Sequence, residues 1–209
     1  YMPHDIIRVG FISAGENTQK IHIPKLQAIP GVTLAEVANR TLASGERVAS
    51  KYNIQRVRSS WQDLLKSTDI DAVVIGTWPY LHCVATCIAL KNEKHVLCEA
   101  RMAMDLTEAQ EMQKISNEHP NLISQLVPAP ITLHLDKTIR AYIEKGRLDQ
   151  ILFFHADYHS SPSKNENRPL HWRKNKKYSG ENTMVLGIIY ESLQRWLPSA
   201  KKISAFGKI

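Results

Sequence analysis

The chain has 209 residues, 43% of them hydrophobic and 22% charged, enough for one large domain or for one compact domain with part of another, without a disulfide scaffold. Its formal net charge of +7 is lopsided: residues 1–144 carry 15 basic and 15 acidic side chains, residues 145–209 carry 12 and 5. No apolar run approaches the roughly 18 residues of a membrane span and the first residues lack signal-peptide features, so no membrane association and a cytoplasmic location are expected. Much of the excess charge falls between Lys164 and Lys177, among Asn, Ser and Pro. His171, Trp172 and Tyr178 interleave there, but no RNA-binding or zinc-finger signature accompanies them, so the run reads as a solvated loop and no nucleic-acid partner is expected. Cys83, Cys87 and Cys98 match no C-x-x-C spacing and read as small core residues, and no metal site is expected.

In chain order, Ile6 to Ile12 is a β-branched apolar run, followed by small residues and a helical pattern (Ile21, Ile23, Leu26, Ile29) that ends at Pro30-Gly31. Val32 to Ala38 reads as a second strand and the stretch through Lys51 as its helix, with Ala43, Val48 and Ala49 near a 3.6 period. Trp61, Leu64 and Leu65 suggest a short helix. Ala72 to Gly76 is a continuous apolar strand of the kind buried on both faces of a parallel sheet. A helix from Tyr80 to Asn92, a strand His95–Cys98, a helix Leu106–Glu118 with Thr107 as N-cap, and a strand Asn121–Val127 continue the alternation. The expected fold is therefore α/β, a doubly wound parallel Rossmann sheet over residues 1–127. Pro128 and Pro130 mark a boundary, each extending its predecessor and lacking a backbone donor. Residues 128–209 read as part of a second domain: a helix Leu133–Lys145 stopped by Gly146, a strand Gln150–Tyr158, the basic loop, a helix Asn182–Leu197 stopped by Pro198, and a strand Ile203–Ile209. Two strands and two helices make a poor core, so this part is expected to be cut short or covered by a partner.

Ser13, Ala14, Gly15, Glu16 and Asn17 stand where a phosphate-binding loop belongs, between the first strand and the first helix. Small residues there let backbone N–H groups and a helix N-terminus approach a diphosphate. In the G-x-G-x-x-G frame Ser13 replaces the first glycine and Thr18 the third, leaving Gly15. The usual acidic ribose partner is absent 24 residues beyond Gly15, where Asn39-Arg40 is found. Without a carboxylate nothing repels a 2′-phosphate, and a guanidinium can grip it with two donors, so NADP is expected over NAD. The alternative is that Arg40 is an ordinary solvated loop residue.

The stretches IRVGFISAGENTQKIHIPKLQAIPGVTLAEVANR, DAVVIGTWPYLH, ALKNEKHVLCEARMAMDLTEAQEM and HWRKNKKYSG resemble the Gfo/Idh/MocA oxidoreductases, which include glucose-fructose oxidoreductase and inositol dehydrogenase. The resemblance implies a Rossmann domain followed by an α+β domain with a mostly antiparallel sheet, which supplies the substrate site and often an oligomer interface. It also implies that the chain would continue past Ile209 and that the full-length protein is a homo-oligomer. A Thr-Pro-x-x-x-His motif lies beside the cofactor in that family; here Thr77, Trp78 and His82 stand in a similar run, and His82 reads equally as a helix-start histidine. In the Glu-Lys-Pro motif the glutamate approaches the nicotinamide ribose and the lysine assists proton transfer; Glu99 carries over, whereas Ala100 and Arg101 follow it. Trp172 and Arg173, after His171, resemble a pair that contacts the nicotinamide end.

The second catalytic segment of that family is altered too, with Val185, Ile189 and Ser192 at the positions of its aspartate, histidine and second aspartate. Oxidising an alcohol requires a group that accepts the hydroxyl proton, which Ala, Val and Ile cannot do. Replacement candidates are Tyr190 and Glu191 on the same helix, with His171, and Glu191 is preferred because burial beside a cofactor would raise its pKa toward neutrality. The alternative for Glu191 is a surface pair with Arg195 at i+4. The function implied is hydride transfer between NADP (or NAD) and a small polyol, sugar or related hydroxy compound as substrate. The rival is a dinucleotide-binding sensor or partner subunit without catalysis.

Overall fold

The computed structural model describes residues 6–128, 134–149, 151–159, 169, 171–181, 184–197 and 199–206. They fall into two compact units, one of residues up to Pro128 together with His171–Asn182, the other within Ala129–Leu170 and Thr183–Ile209.

The first unit is a six-stranded, wholly parallel sheet in the order β3-β2-β1-β4-β5-β6, with β1 Ile7–Ile12, β2 Val32–Ala38, β3 Arg56–Val57, β4 Ala72–Ile75, β5 His95–Cys98 and β6 Ser124–Leu126. Alternating side chains feed two cores. Val9, Phe11, Leu34, Val37 and Val74 face α1 (Ile23–Gln27) and α2 (Leu42–Tyr52). Ile12, Val73, Ile75 and Val96 face α3 (Trp61–Leu65), α4 (His82–Lys91) and α5 (Leu106–Glu118). Helices on both faces are why β4 is apolar throughout. The Cys83 and Cys98 thiols lie within or against the second core, and burial pushes both up to about 12, so they stay protonated and act as small apolar groups.

One polar group is buried among the strands. Glu36 of β2, 1% exposed, receives Arg58 at 2.6 and 2.7 Å, Arg56 at 3.2 Å and the Ser67 hydroxyl at 2.9 Å. These donors tie the edge strand β3, absent from the sequence expectation, to β2. Helix α5 also differs from expectation at its start. Its N-cap is Asp105, whose carboxylate accepts from the Glu108 N–H at 2.9 Å, and not Thr107, because Asp105 has the extended backbone a cap requires.

The second unit contains α6 (Asp136–Glu144), followed by Gly146 at φ +64°, and α7 (Met184–Leu193). Asp136 holds Arg195 through two bonds at 2.9 and 2.6 Å and accepts from the Trp196 indole at 2.9 Å. The strands expected at 150–158 and 203–209 are not found among residues 151–158 and 203–206. An extended run becomes a strand only when a neighbour's ladder holds it, and no ladder reaches these among the described residues; Gln150 and residues 207–209 lie outside them. Leu133, Asn182 and Pro198, named in the helix expectations, also lie outside the described residues. No helix among the described residues is long and apolar enough to cross a membrane.

Candidate functional site

At the end of β1 the backbone turns at Ser13 with φ +62°. That left-handed conformation costs a side-chain-bearing residue about 1–2 kcal/mol, which explains why dinucleotide loops carry glycine at this place. Hydrogen bonds hold the turn: Ser13 N–H to the Ala38 carbonyl at 2.8 Å, Gly15 N–H to the Ser13 carbonyl at 2.7 Å, and Ala14 N–H to Asn39 Oδ1 at 2.8 Å. Glu16 and Asn17 then open a helical segment that passes through a π-turn, Thr18–His22, into α1. In the first turn of a helix the N–H groups have no acceptor within it, which equips this end for an anion. Glu16 itself is exposed and pairs with Lys20 at 2.6 Å.

Two glycines around this loop answer different demands. A Cβ at Gly15 would meet nothing nearer than the Ser13 carbonyl at 4.0 Å, so the chain's own packing does not require glycine and the space is open to a ligand. A Cβ at Gly76, just past β4, would lie 2.3 Å from Thr18 Oγ1 and 2.7 Å from the Ser13 carbonyl. The close helix–strand approach that the third glycine of the fingerprint normally permits is here permitted from the strand side. Gly76 gives way to Thr18, which is 2% exposed.

A groove of about 780 Å³ runs along the C-terminal ends of β1, β2 and β4, where the strand order reverses. Ser13, Ala14 and Gly15 line its middle. Asn39, Arg40, Ser44 and Arg47 line one end, and Thr77, Trp78 and Tyr80 also line it. Asn39 is engaged at both ends of its amide, accepting from the Ala14 N–H and donating to Ser44 Oγ at 3.0 Å. Two guanidinium groups and no carboxylate are among the lining side chains. A second hollow of about 560 Å³, between α5 and strands β5 and β6, has no charged side chain in its lining.

Trp78 stacks on Trp172 with centroids 5.3 Å apart, Tyr178 meets Trp78 edge-on at 4.9 Å, and the Arg173 guanidinium lies 4.3 Å over the Trp172 ring. This aromatic cluster draws residues 171–181 onto the first unit. Gly180, at φ +67°, packs so close to Met104 that a Cβ would lie 2.0 Å from its carbonyl oxygen. His171 caps the turn before Trp172, its Nδ1 accepting from the Arg173 N–H at 3.2 Å. His82 is fully buried and lines no part of the groove. Its ring nitrogens lie 2.5 Å from the Arg101 carbonyl and 3.0 Å from the Thr77 carbonyl, bracing the loops after β4 and β5. Burial pushes its pKa down despite both carbonyls.

At the end of β5, Glu99 Oε1 accepts from Asn17 Nδ2 and lies 2.7 Å from His22 Nε2, while Oε2 accepts from the Ala100 N–H at 3.2 Å. Burial alone would raise the Glu99 pKa. The bonds from His22 and Asn17, the His22 charge and the Ala100 N–H outweigh it, and the carboxyl sits below its usual range. Arg101, 7% exposed, donates to Ser179 Oγ, and burial together with the Arg173 charge lowers its pKa.

Ser13, Ala14, Gly15, Asn39, Arg40, Thr77 and Trp78 thus line one groove, Trp172 stacks on Trp78 with Arg173 over Trp172, and Glu16, Asn17 and Glu99 are not among the lining residues. Ile189, Tyr190 and Glu191 lie on α7 of the second unit, as does Val185, whose side chain is outside the described residues. Arg195 gives two guanidinium bonds to Asp136, and the Glu191 charge at i−4, the pairing weighed from the sequence, also acts on it. His22, Gln19 and Arg47 were missed. Gln19 donates to the Ala14 carbonyl at 2.9 Å, and the only hint of His22 was a histidine set in the apolar pattern of the first helix.

Sequence and structure comparisons bear on this groove. The profile of the oxidoreductase family with an NAD-binding Rossmann fold matches residues 7–126, more than half the chain. Levoglucosan dehydrogenase of Pseudarthrobacter phenanthrenivorans is 26% identical over 75% of the chain and 40% of its own length. Trans-1,2-dihydrobenzene-1,2-diol dehydrogenase of Xenopus tropicalis is 30% identical over 71% of the chain and 45% of its own. The chain therefore spans less than half the length of these relatives. Among solved structures, apo scyllo-inositol dehydrogenase from Lactobacillus casei superposes with a TM-score of 0.62 at 22% identity, covering 70% of this chain and 43% of that one. A 3-ketoreductase from Actinomadura kijaniata, solved with NADP, superposes at 0.60 and 23% identity, covering 68% and 43%. With the family profile matched across the whole sheet, from β1 through β6, the chain belongs to the Gfo/Idh/MocA oxidoreductases with their NAD-binding Rossmann fold.

Proposed function

We propose that this chain binds NADP in preference to NAD and belongs to an oxidoreductase that moves hydride between the nicotinamide and a small polyol, sugar or related hydroxy compound. The observation that carries the coenzyme reading is the β2 end of the groove. Asn39 replaces the acidic ribose partner and spends its amide inside the protein, while Arg40 and Arg47 are the charged groups on the wall. A carboxylate there would repel a 2′-phosphate, and guanidinium groups attract one. The residues fit a dinucleotide: a helix N-terminus after Ser13–Gly15 for the diphosphate, and Trp78 with Trp172 and Arg173 for the nicotinamide end. When bound, the coenzyme supplies the hydride acceptor or donor; the chain's own residues bind and orient it and must handle the hydroxyl proton.

Names of relatives, which include levoglucosan, dihydrobenzenediol and inositol dehydrogenases, support a small polyhydroxy substrate. Ala100 and Ile189 hold no proton-accepting group, so the reading assigns that role to Glu191, with Tyr190 and His171 as the other candidates. A Glu191→Gln variant that keeps full turnover removes Glu191 from the mechanism. Equilibrium titration with NADPH and NADH tests the coenzyme reading: NADPH is expected to bind about tenfold or more tightly, and Arg40→Ala to erase the difference. Tighter NADH binding overturns it. The vacant lysine position at Ala100 equally supports a second reading, a dinucleotide-binding partner or sensor without turnover, which a polyol and sugar panel separates from the first.

A further inference from the structure

The family resemblance puts Glu99 at the nicotinamide riboside and Ser13–Asn17 at the diphosphate, and the structure fastens the two segments together. Asn17 reaches from the first helical turn to Glu99 Oε1, and His22, one turn later on the same buried side as Thr18, places Nε2 2.7 Å from the same oxygen. Both partners are withdrawn from water, with 10% of the His22 side chain and 15% of the Glu99 side chain exposed. The remaining oxygen is turned back onto the Ala100 N–H. Three donors on one carboxylate fix its rotamer and keep it ionised, where a free glutamate would sample several orientations.

We propose that His22 is a positioning residue: by holding Glu99 Oε1, the oxygen Asn17 also holds, it sets the carboxylate that meets the nicotinamide riboside. The proposal rests on the dinucleotide reading above. His22 touches neither coenzyme nor substrate in it. A residue that only filled space would be replaceable by any side chain of similar volume. A residue that holds Glu99 is replaceable only by one that keeps the donor.

The test compares His22→Gln, whose amide can still donate to Glu99, with His22→Leu, which cannot, in the full chain. Affinities are measured for reduced coenzyme and for ADP, which lacks the nicotinamide riboside. His22→Leu is expected to weaken NADPH and NADH roughly tenfold or more, the scale of losing a charged hydrogen bond, and to leave ADP within about twofold. His22→Gln is expected to stay within about threefold for all ligands. Should His22→Leu fail to fold, Glu99→Gln and the double variant His22→Gln/Glu99→Gln carry the test, since two residues acting through one contact give a double variant no weaker than Glu99→Gln alone. Equal losses for ADP and coenzyme, equal behaviour of Gln and Leu, or additive losses in the double variant overturn the positioning role while leaving the dinucleotide reading intact. A wild-type chain that binds neither coenzyme overturns both.

Discussion

The contact between Gly76 and the phosphate loop makes a quantitative prediction. In Gly76→Ala the new methyl carbon would stand 2.3 Å from Thr18 Oγ1 and 2.7 Å from the Ser13 carbonyl oxygen. Ordinary carbon–oxygen contact is about 3.3 Å, so Thr18 must retreat by about 1 Å and Ser13 by about 0.6 Å. Neither has room to do so freely: Thr18 is buried, and Ser13 is pinned by its bonds to Ala38 and Gly15. Overpacking of this kind costs about 1–3 kcal/mol, and near 2 kcal/mol a chain of this size loses about 4–8 °C of Tm. The displaced atoms are the loop itself, so coenzyme affinity is expected to fall as well, by roughly ten- to a hundredfold for a shift of this size. Differential scanning fluorimetry and coenzyme titration read the two effects. Adding Thr18→Ala to Gly76→Ala removes the worse clash, leaves the Ser13 one, and is expected to recover about half of the Tm loss. If Gly76→Ala alone changes Tm by less than about 1 °C and leaves affinity unchanged, the account of the glycine exchanged between helix and strand is wrong.

Other perturbations reach different parts of the molecule. Ser13→Gly relieves the left-handed strain while adding unfolded-state entropy, for a net gain of about 0.5–1 kcal/mol measurable by urea denaturation. Glu36→Leu leaves Arg58 facing an apolar core and should cost about 3 kcal/mol, the low end for a buried pair because both arginines also reach water; unchanged stability would show the carboxylate to be dispensable. Asp136 is held at about 2 by Arg195, below its ordinary 3.8. Its stabilising contribution is therefore full above about pH 4 and lost as pH falls toward 2, a slope that Asp136→Asn should flatten when Trp196 fluorescence is followed during acid titration.

Most of the sheet was legible in the sequence because buried parallel strands must be apolar on both faces, which makes runs such as Ala72–Ile75 stand out. β3 was not, because a two-residue edge strand held by Arg56 and Arg58 to a buried glutamate has no apolar pattern to read. Residues 151–158 carried the opposite error: an apolar run looks like a strand whether or not a neighbour pairs with it. The site divided along the same line. Ser13, Gly15 and Asn39 were legible as residues at the C-terminal ends of β1 and β2, where the groove lies, because those apolar strands are easy to read. His22 was invisible since its meaning depends on Glu99, 77 residues away.

The aromatic cluster around Trp78 has a temporal consequence. β6 is finished at Leu126, but Trp172, Arg173 and Tyr178 leave the ribosome about 45 residues later. A nascent chain thus passes through a stage in which the parallel sheet is complete and Trp78 lacks both Trp172 and Tyr178. Cutting the gene at Pro128 would freeze the protein at that stage, with the groove built and Trp78 still without its stacked and edge-on neighbours.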